Sequence, residues 1–260
     1  IIGVDINRAH REESVALGIV DETLEMKEAV SQSKLVILAT PMNVMVKQIR
    51  EVLDLLPEES VLIDFGSTKA ALVEAVKEHP KRKQYVALHP IAGTENSGPK
   101  AAFSSLLEGK MMIICNSDES SPYAKQLVED IFLKLNMEIH YMDAKDHDRH
   151  IAFVSHLSHI SSFALGKTVL DIEKDEKNIF TMAGSGFSST ARLAKSSPDM
   201  WAPIFLQNKD NISTALGSYI NILQTFKRAI DEGDEQKSRE LMLEANYIRK
   251  ILAGIDKKGN

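Results

Sequence analysis

LVILATP, residues 35–41, begins with five apolar residues in a row and ends on a Thr-Pro pair. A short, continuous apolar run is typical of a strand that is buried on both faces of a parallel sheet. VLIDF (61–65) and YVAL (85–88) repeat this pattern, and helical stretches lie between the three runs, near residues 44–56 and 68–78. Regular alternation of strands and helices predicts a doubly wound parallel α/β sheet.

The pattern continues on both sides of this segment. Residues 1–6 (IIGVDI) are typical of a short strand, and residues 111–115 and 138–141 predict two further strands around a helix near 122–135. After about residue 143 no strand pattern remains. The sequence therefore predicts an N-terminal α/β domain, residues 1–142, and an all-helical domain, residues 143–260.

The helical domain is predicted to contain three long helices, over residues 144–169, 207–230 and 234–255. Gly233 separates the last two, and Asp234 is a suitable N-cap residue. Because these helices carry many apolar residues, we expect some of them to bury against a partner chain, as in a homodimer.

Composition excludes several classes of protein. The chain has 260 residues, of which 43% are hydrophobic, and its formal net charge is −6, so disorder or a general affinity for nucleic acid or anionic membranes is not expected. The single cysteine, Cys115, excludes an intrachain disulfide framework and fits a reducing, cytoplasmic compartment. No apolar run approaches the roughly 18 residues of a membrane span.

The first residues lie within a predicted strand. If residues 1–6 form the second strand of a dinucleotide-binding sheet, then roughly 25 residues with the first strand and a GxGxxG turn belong upstream. On this interpretation we expect a break in the sheet, or a rearranged sheet edge, beside residues 1–6.

Three residues that follow predicted strands are candidates for a cofactor site. Asp5 follows the first strand, where an acidic residue commonly binds the ribose hydroxyls of NAD; a helix N-cap or loop role is the alternative, and nearby Arg8 could instead receive the 2′-phosphate of NADP. Thr40 and Pro41 follow the LVILA run at the edge that lines the cofactor crevice. Thr40 could equally cap the helix that Pro41 begins.

The next two strand ends carry the candidate catalytic residues. Ser67 follows the strand at 61–65 and would face a bound nicotinamide, although a helix N-cap is the simpler role. His89 ends the strand at 85–88 and precedes Pro90, which holds its backbone extended. A neutral imidazole there suits proton abstraction from an alcohol during hydride transfer, whereas a backbone-bonded loop histidine is the alternative. Glu95 could gate or orient the site, or lie on a surface loop.

Polar residues in the helical half form a second group. His156 and His159 share a helix face; with His147 and His150 they could suggest a metal site, but no HExxH motif or cysteine cluster supports one. We expect instead that they line a substrate cleft. Arg192 ends a glycine-rich segment and suits bidentate binding of a carboxylate, unless it is a surface ion-pair partner.

Taken together, these segments resemble the prephenate dehydrogenase family over nearly the whole chain. The resemblance rests on GVDIN (3–7), LATP (38–41), DFGSTK (64–69), HPIAGTENSG (89–98), SHLSH (155–159) and GSGFSSTARLAKSSPDMWAPIFLQNK (184–209). It implies a Rossmann domain, a helical dimerisation domain, and NAD-dependent oxidative decarboxylation of prephenate to 4-hydroxyphenylpyruvate in tyrosine biosynthesis.

By position, the resemblance also implies residue roles. His89 matches the catalytic base, and Ser67 matches the serine near the substrate hydroxyl and the nicotinamide. Arg192 matches the arginine that binds a substrate carboxylate. Three smaller matches are the pocket histidines His159 and His156, the mobile segment at Thr94 and Glu95, and the ribose carboxylate Asp5. Two alternatives stay open: an arogenate dehydrogenase of the same fold, and a dimeric sensor that binds an aromatic metabolite without turnover.

Overall fold

The structure is a computed structural model that describes residues 1–94, 96–174, 176 and 178–258, with side chains described up to residue 254. It divides into two compact units, Ile1–Lys209 and Asp210–Asn260. All the residues predicted to form a functional site lie in the first unit. Within the described residues, no helix is long and apolar enough to cross a membrane.

In the part of the chain that the structure describes, the α/β half consists of seven strands and the helices between them. The strands are β1 (Ile2–Gly3), β2 (Glu22–Thr23), β3 (Leu35–Leu38), β4 (Val61–Asp64), β5 (Tyr85–Ile91), β6 (Met111–Cys115) and β7 (Glu138–Met142). The helices are α1 (Arg8–Ala16), α2 (Met26–Ser31), α3 (Met42–Leu55), α4 (Ala70–Val76) and α5 (Pro122–Lys134). The strands and the helices after β3, β4 and β6 confirm the predicted α/β alternation.

The main sheet contains five strands in the order β3-β4-β5-β6-β7. Its two faces are covered by different helices. One apolar core joins the sheet to α3 and α4, through residues such as Ile49, Val52 and Leu72. The other joins it to α5, through Val128 and Phe132. Helices on both faces are the arrangement of a doubly wound fold, as predicted.

The sheet is mixed rather than fully parallel, which corrects the predicted topology. β3, β4 and β5 run parallel, but β5 and β6 are antiparallel, with His89 opposite Ile113. A parallel pair needs a crossover connection, usually a helix. The described part of residues 92–110 contains only one short 3-10 turn, Pro99–Ala101, so the chain returns along β6 in the opposite direction.

The first strand is shorter than predicted. Only Ile2–Gly3 is extended in a sheet, because an Asp5 carboxylate oxygen accepts the Asn7 N–H and Asn7 then caps α1. β1 pairs in parallel with β2 in a separate two-stranded sheet. Within the described residues the two sheets share no strand pairing, which is the break expected beside residues 1–6.

Within the described residues no strand follows β7, as the sequence predicts. The α-helices that follow it in the first unit are α6 (Ala144–Ile151), α7 (Leu157–Glu173), α8 (Ser185–Ala191) and α9 (Pro198–Gln207). α6 and α7 are joined by a π-helical segment, Ala152–His156, so the predicted helix over 144–169 is continuous but changes its hydrogen-bond pattern. α9 packs on α3 through Trp201 and Ile204, which extends the core of the sheet into the helical part.

The remaining helices are α10 (Lys209–Asp231), α11 (Glu235–Ala245) and α12 (Ile248–Lys258). Asp234 caps α11 by accepting the Lys237 N–H, as predicted. The single helix predicted over 234–255 is wrong, because the chain divides into two helices between Ala245 and Ile248. Many apolar residues of this unit are exposed, among them Ile230, Tyr247 and Ile251.

Candidate active site

The carboxyl ends of β4 and β5 bring the two predicted catalytic residues to the same edge of the sheet. His89 lies near the end of β5, and Ser67 lies in the turn between β4 and α4. Because β4 and β5 are parallel neighbours, their ends meet at this edge. Among the described residues, the Ser67 hydroxyl has no hydrogen-bond partner, so it is available to a bound molecule.

His89 is the first member of a hydrogen-bonded chain that leads into the helical half. Its Nδ1 lies 2.8 Å from Nε2 of His147, and Nδ1 of His147 lies 2.8 Å from a carboxylate oxygen of Asp148. His147 and Asp148 are both buried. The other ring nitrogen of His89, Nε2, makes no hydrogen bond to the described residues. It is accessible to solvent.

The environment of His89 favours its neutral form. Burial lowers the pKa of His89 well below the usual 6.5, and the nearby His147, Lys69 and His156 lower it further. A neutral imidazole keeps a lone pair on one ring nitrogen, which is the requirement for a proton acceptor.

A second polar network lies beneath this edge and is fully buried. The Asp64 carboxylate at the end of β4 pairs with the Lys69 ammonium, and both side chains are 0% exposed. The Tyr85 hydroxyl donates to Asp64 at 2.6 Å, and the backbone N–H groups of Leu88 and Gly66 also donate to it. Burial and the Asp64 charge raise the pKa of Tyr85 well above 10.

This network supports the backbone around both catalytic candidates. The Lys69 ammonium donates to the carbonyl of Leu88 at 2.6 Å, directly before His89. A side chain at Gly66 is excluded, since a Cβ there would lie 2.7 Å from Sδ of Met42 and 2.9 Å from an Asp64 oxygen. The turn that carries Ser67 is therefore packed tightly against β4. Lys69 itself lies directly before α4 and is fully buried.

The helical half supplies a cluster around Trp201. The rings of His159 and Trp201 stack at a centroid distance of 3.5 Å, and His159 Nδ1 lies 3.0 Å from the carbonyl of Ser155. Burial lowers the pKa of His159, the hydrogen bond with the Ser155 carbonyl opposes this effect, and the positive charge of Arg192 adds to it. Arg192 is exposed and begins a 3-10 turn after α8.

His156 lies below this cluster rather than at its surface. Its ring is 0% exposed, and Asn208 donates from one amide group to Nδ1 of His156 at 3.2 Å and to the carbonyl of Asp148 at 2.6 Å. Burial lowers the pKa of His156 to about 4. The predicted pocket-lining contact of His156 is therefore not supported by its position, whereas half-buried His159 keeps that prediction.

The predicted cofactor residues lie at the ends of β1 and β3. Asp5 is exposed, and its second oxygen lies 3.4 Å from Nδ1 of His10. Arg8 is paired with Glu12 at 2.7 Å. Thr40 does not cap α3 but donates to Gln48 at 3.4 Å, and Pro41 itself holds the N-cap position. The described contacts do not join Asp5 or Thr40 to His89 or His159.

The segment predicted at the mouth of the pocket is described only in part. Thr94 is exposed, and its hydroxyl accepts the Asn96 N–H at 3.3 Å. The predicted role of Glu95 falls on a residue outside those that the structure describes. Within those residues, no group of three or more His, Cys, Asp or Glu side chains is arranged to hold a metal ion.

The sequence did not reveal the roles of three residues of the site. His147 was considered only as a metal ligand, and Asp148 and Asn208 were not singled out. An Asp beside a His in one helix gives no sequence signal, because adjacent helix residues do not normally face each other. Trp201 lies in the core and also stacks on His159.

Comparison with known proteins identifies the class to which this fold and site belong. A family model described as the nucleotide-binding domain of prephenate dehydrogenase matches residues 1–141, and one described as its dimerization domain matches residues 143–244. The chain belongs to the prephenate dehydrogenase family. Its first part is accordingly a Rossmann-like nucleotide-binding domain.

Individual relatives cover most of this chain. A cyclohexadienyl dehydrogenase of Zymomonas mobilis is 28% identical over 93% of this chain and 83% of its own length. A prephenate dehydrogenase of Bacillus subtilis is 29% identical over 91% of this chain, which spans only 64% of the length of that protein. The Aquifex aeolicus prephenate dehydrogenase, solved with hydroxyphenyl propionate and NAD+, is 32% identical, with a TM-score of 0.85 over 97% of this chain and 88% of that one.

Proposed function

We propose that this protein catalyses the oxidative decarboxylation of prephenate to 4-hydroxyphenylpyruvate, with NAD as hydride acceptor. One observation carries the proposal above the family match: at the sheet edge that also bears Ser67, His89 presents an Nε2 to which no described residue is hydrogen-bonded. The proposal is supported by the Aquifex relative, whose structure holds NAD+ together with a hydroxyphenyl acid.

The residues at the strand ends fit a dinucleotide. The carboxyl edge of parallel strands is where doubly wound sheets bind such cofactors, and the Ser67 hydroxyl is available there. We assign Asp5 to the adenosine ribose and Thr40 with Pro41 to the wall of the cofactor crevice. NAD, when bound, supplies the group that accepts the substrate hydride.

The chemistry that remains for the protein is proton removal and orientation. Nε2 of His89 accepts the proton of the ring 4-hydroxyl while hydride leaves the same carbon, and Ser67 hydrogen-bonds that hydroxyl. The bond to the ring carboxylate then breaks, its electron pair aromatises the ring as carbon dioxide leaves, and the ring oxygen takes the proton back from Nε2 of His89 to give the phenol hydroxyl. Arg192 binds a substrate carboxylate and His159 lines the pocket beside it.

A second substrate is favoured by the names of two relatives. One is a cyclohexadienyl dehydrogenase, and a Methanocaldococcus jannaschii relative, 24% identical, is named a probable arogenate/prephenate dehydrogenase. Arogenate differs from prephenate in carrying an amino group in place of the side-chain keto group. The His89 and Ser67 chemistry is the same for both, so the preference depends on contacts to the side chain.

A paired assay tests the proposed function. NADH formation is followed with the full-length protein, with prephenate and arogenate measured side by side at matched concentrations. Turnover of prephenate is expected, and the ratio of the two kcat/KM values gives the preference. Absence of NADH with both substrates refutes the enzymatic proposal, and tight binding of an aromatic acid without turnover would favour the sensor alternative.

The proposed assembly is a cytoplasmic homodimer formed through the helical domain, with the domain boundary between residues 142 and 143. The name of the matching model, dimerization domain, supports this proposal. The exposed apolar side chains of α10, α11 and α12 support it as well, since such a surface is typical of an interface. Sedimentation of the full-length protein tests it; a monomer at micromolar concentration contradicts it.

A further inference from the structure

We propose that His147 and Asp148 are positioning residues that select the tautomer of His89, so that its solvent-facing nitrogen is the basic one. The proposal rests on the proposed function only in treating His89 as the base. It is carried by the hydrogen-bonded chain His89–His147–Asp148, which joins the end of β5 to α6.

The direction of this chain is determined at its Asp148 end. The two Asp148 carboxylate oxygens accept backbone N–H groups, one from Lys69 at 2.7 Å and the other from Ala70 at 2.9 Å. An ionised carboxylate can only accept hydrogen bonds. Nδ1 of His147, which lies 2.8 Å from the same oxygen that Lys69 contacts, must therefore be the donor.

The proton positions follow step by step from that donor. A neutral imidazole has one N–H and one lone pair, so His147 with its proton on Nδ1 has its lone pair on Nε2. That lone pair faces Nδ1 of His89 at 2.8 Å, and it can only accept. His89 therefore carries its proton on Nδ1, and its lone pair lies on Nε2, the nitrogen that reaches solvent.

The same chain remains favourable after the base has accepted a proton. Imidazolium donates from both nitrogens, so the bond from His89 Nδ1 to His147 is kept, and the Asp148 carboxylate lies one residue beyond. No ring has to turn over in the reaction. In the serine-protease triad, where a carboxylate contacts the base directly, a change that imposes the wrong tautomer lowers kcat about 10⁴-fold.

The hydrogen-bonded chain is also held in place. His147 and Asp148 are buried, at 1% and 4% exposed. The Asp148 carboxylate accepts the Lys69 and Ala70 N–H groups, and the Asp148 backbone carbonyl accepts from Asn208. Residues that orient a base need their own positions determined by packing and hydrogen bonds.

A direct measurement of the tautomer tests the proposal without any turnover. The full-length protein is labelled with ¹⁵N-histidine, and the His89 signals are assigned by their loss in H89N. We expect Nδ1 to be protonated and Nε2 to be unprotonated at neutral pH. Protonation of Nε2 in the neutral ring overturns the proposal, whether or not the protein turns over prephenate.

Two variants at one position test the effect on the reaction. His147→Phe keeps an aromatic ring but has no acceptor, whereas His147→Gln offers a side-chain oxygen to the His89 N–H. We expect the Phe variant to lose at least about 10-fold in kcat with KM changed less than about 3-fold, and the Gln variant to recover a large part of that loss.

His150→Phe, an exposed position on the same helix, is the matched control and should leave kcat unchanged. Equal losses in His147→Phe and His147→Gln, or no loss in either, overturn the proposal, because a purely structural role would not distinguish an acceptor from a non-acceptor. If His147→Phe does not fold, the tautomer measurement on the unaltered protein still decides.

Discussion

Replacing Lys69 by methionine is expected to destabilise the first unit by about 3 kcal/mol. The change keeps the length and apolar volume of the side chain but removes the charge that faces Asp64, and both side chains are 0% exposed. Leaving one partner of a buried ion pair without compensation costs about 3–5 kcal/mol. The loss of unfolding free energy should lie at the low end of that range, because the Asp64 carboxylate keeps three hydrogen-bond donors, from Tyr85, Leu88 and Gly66.

This loss is large enough to measure in two ways. Urea denaturation should show a lower midpoint at an unchanged m-value. Thermal unfolding should shift down by roughly 6–12 °C, at about 2–4 °C per kcal/mol for a unit of this size. Lys77→Met is the matched control, because Lys77 is exposed and lies 4.0 Å from Glu74, so its loss should stay within about 0.5 kcal/mol.

A loss below about 1 kcal/mol for Lys69→Met, with an unchanged m-value, would refute the reasoning. It would show that the three remaining donors are enough for the buried carboxylate. The Lys69 ammonium would then have no structural role at the edge where it contacts the carbonyl of Leu88.

His89→Asn should lower turnover at least about 100-fold while substrate binding largely persists, and the surface control His140→Asn should change neither; unchanged turnover removes His89 as the base. In the unaltered protein, kcat/KM should stay level as the pH falls through 6.5 and decline only well below it, because the base must be neutral and its pKa is lowered; an inflection at or above 6.5 contradicts this. Arg192→Gln should raise the KM for prephenate about 10- to 100-fold with a smaller change in kcat, and a loss confined to kcat would be inconsistent with carboxylate binding. Asp5→Asn should raise the KM for NAD and reduce the preference for NAD over NADP, whereas an unchanged ratio of the two kcat/KM values excludes Asp5 from the ribose site.

The α/β half was predictable because strands of a parallel sheet appear in the sequence as continuous apolar runs. The apolar run at 61–65 forms β4, whose residues Val61–Asp64 are all buried, as predicted. The run at 35–39 forms β3 beside it, but β3 lies at the edge of the main sheet and Ile37 is 48% exposed, so the prediction that this strand is buried on both faces is wrong. The direction of β6 was not predictable in the same way. MMIIC is equally apolar in a parallel or an antiparallel neighbour, and only the connection before it, which lacks a crossover helix, distinguishes the two.

The site was predictable where it depends on strand ends and obscure where it depends on helix geometry. His89 and Ser67 follow apolar runs, so topology alone brings them to one edge. Buried His156 is the last residue of the π-helical segment Ala152–His156, in which the side-chain spacing differs from that of α6 and α7. A count of 3.6 residues per turn does not reveal that change, so both His156 and His159 were expected to line the cleft, whereas only His159 is half-exposed.

The same geometry explains why the base belongs to both halves of the molecule. His89 is on a strand, but its Nδ1 contacts a residue 58 positions further along the chain, after the last strand. Asp148, in turn, is bound by the backbone N–H groups that precede and begin α4, 78 and 79 positions before it. The first turns of the helical half therefore close a loop of hydrogen bonds with the two strand ends that carry Ser67 and His89. Because each contact in that loop is directional and at least partly buried, a shift of α6 would change the tautomer and the orientation of the base together.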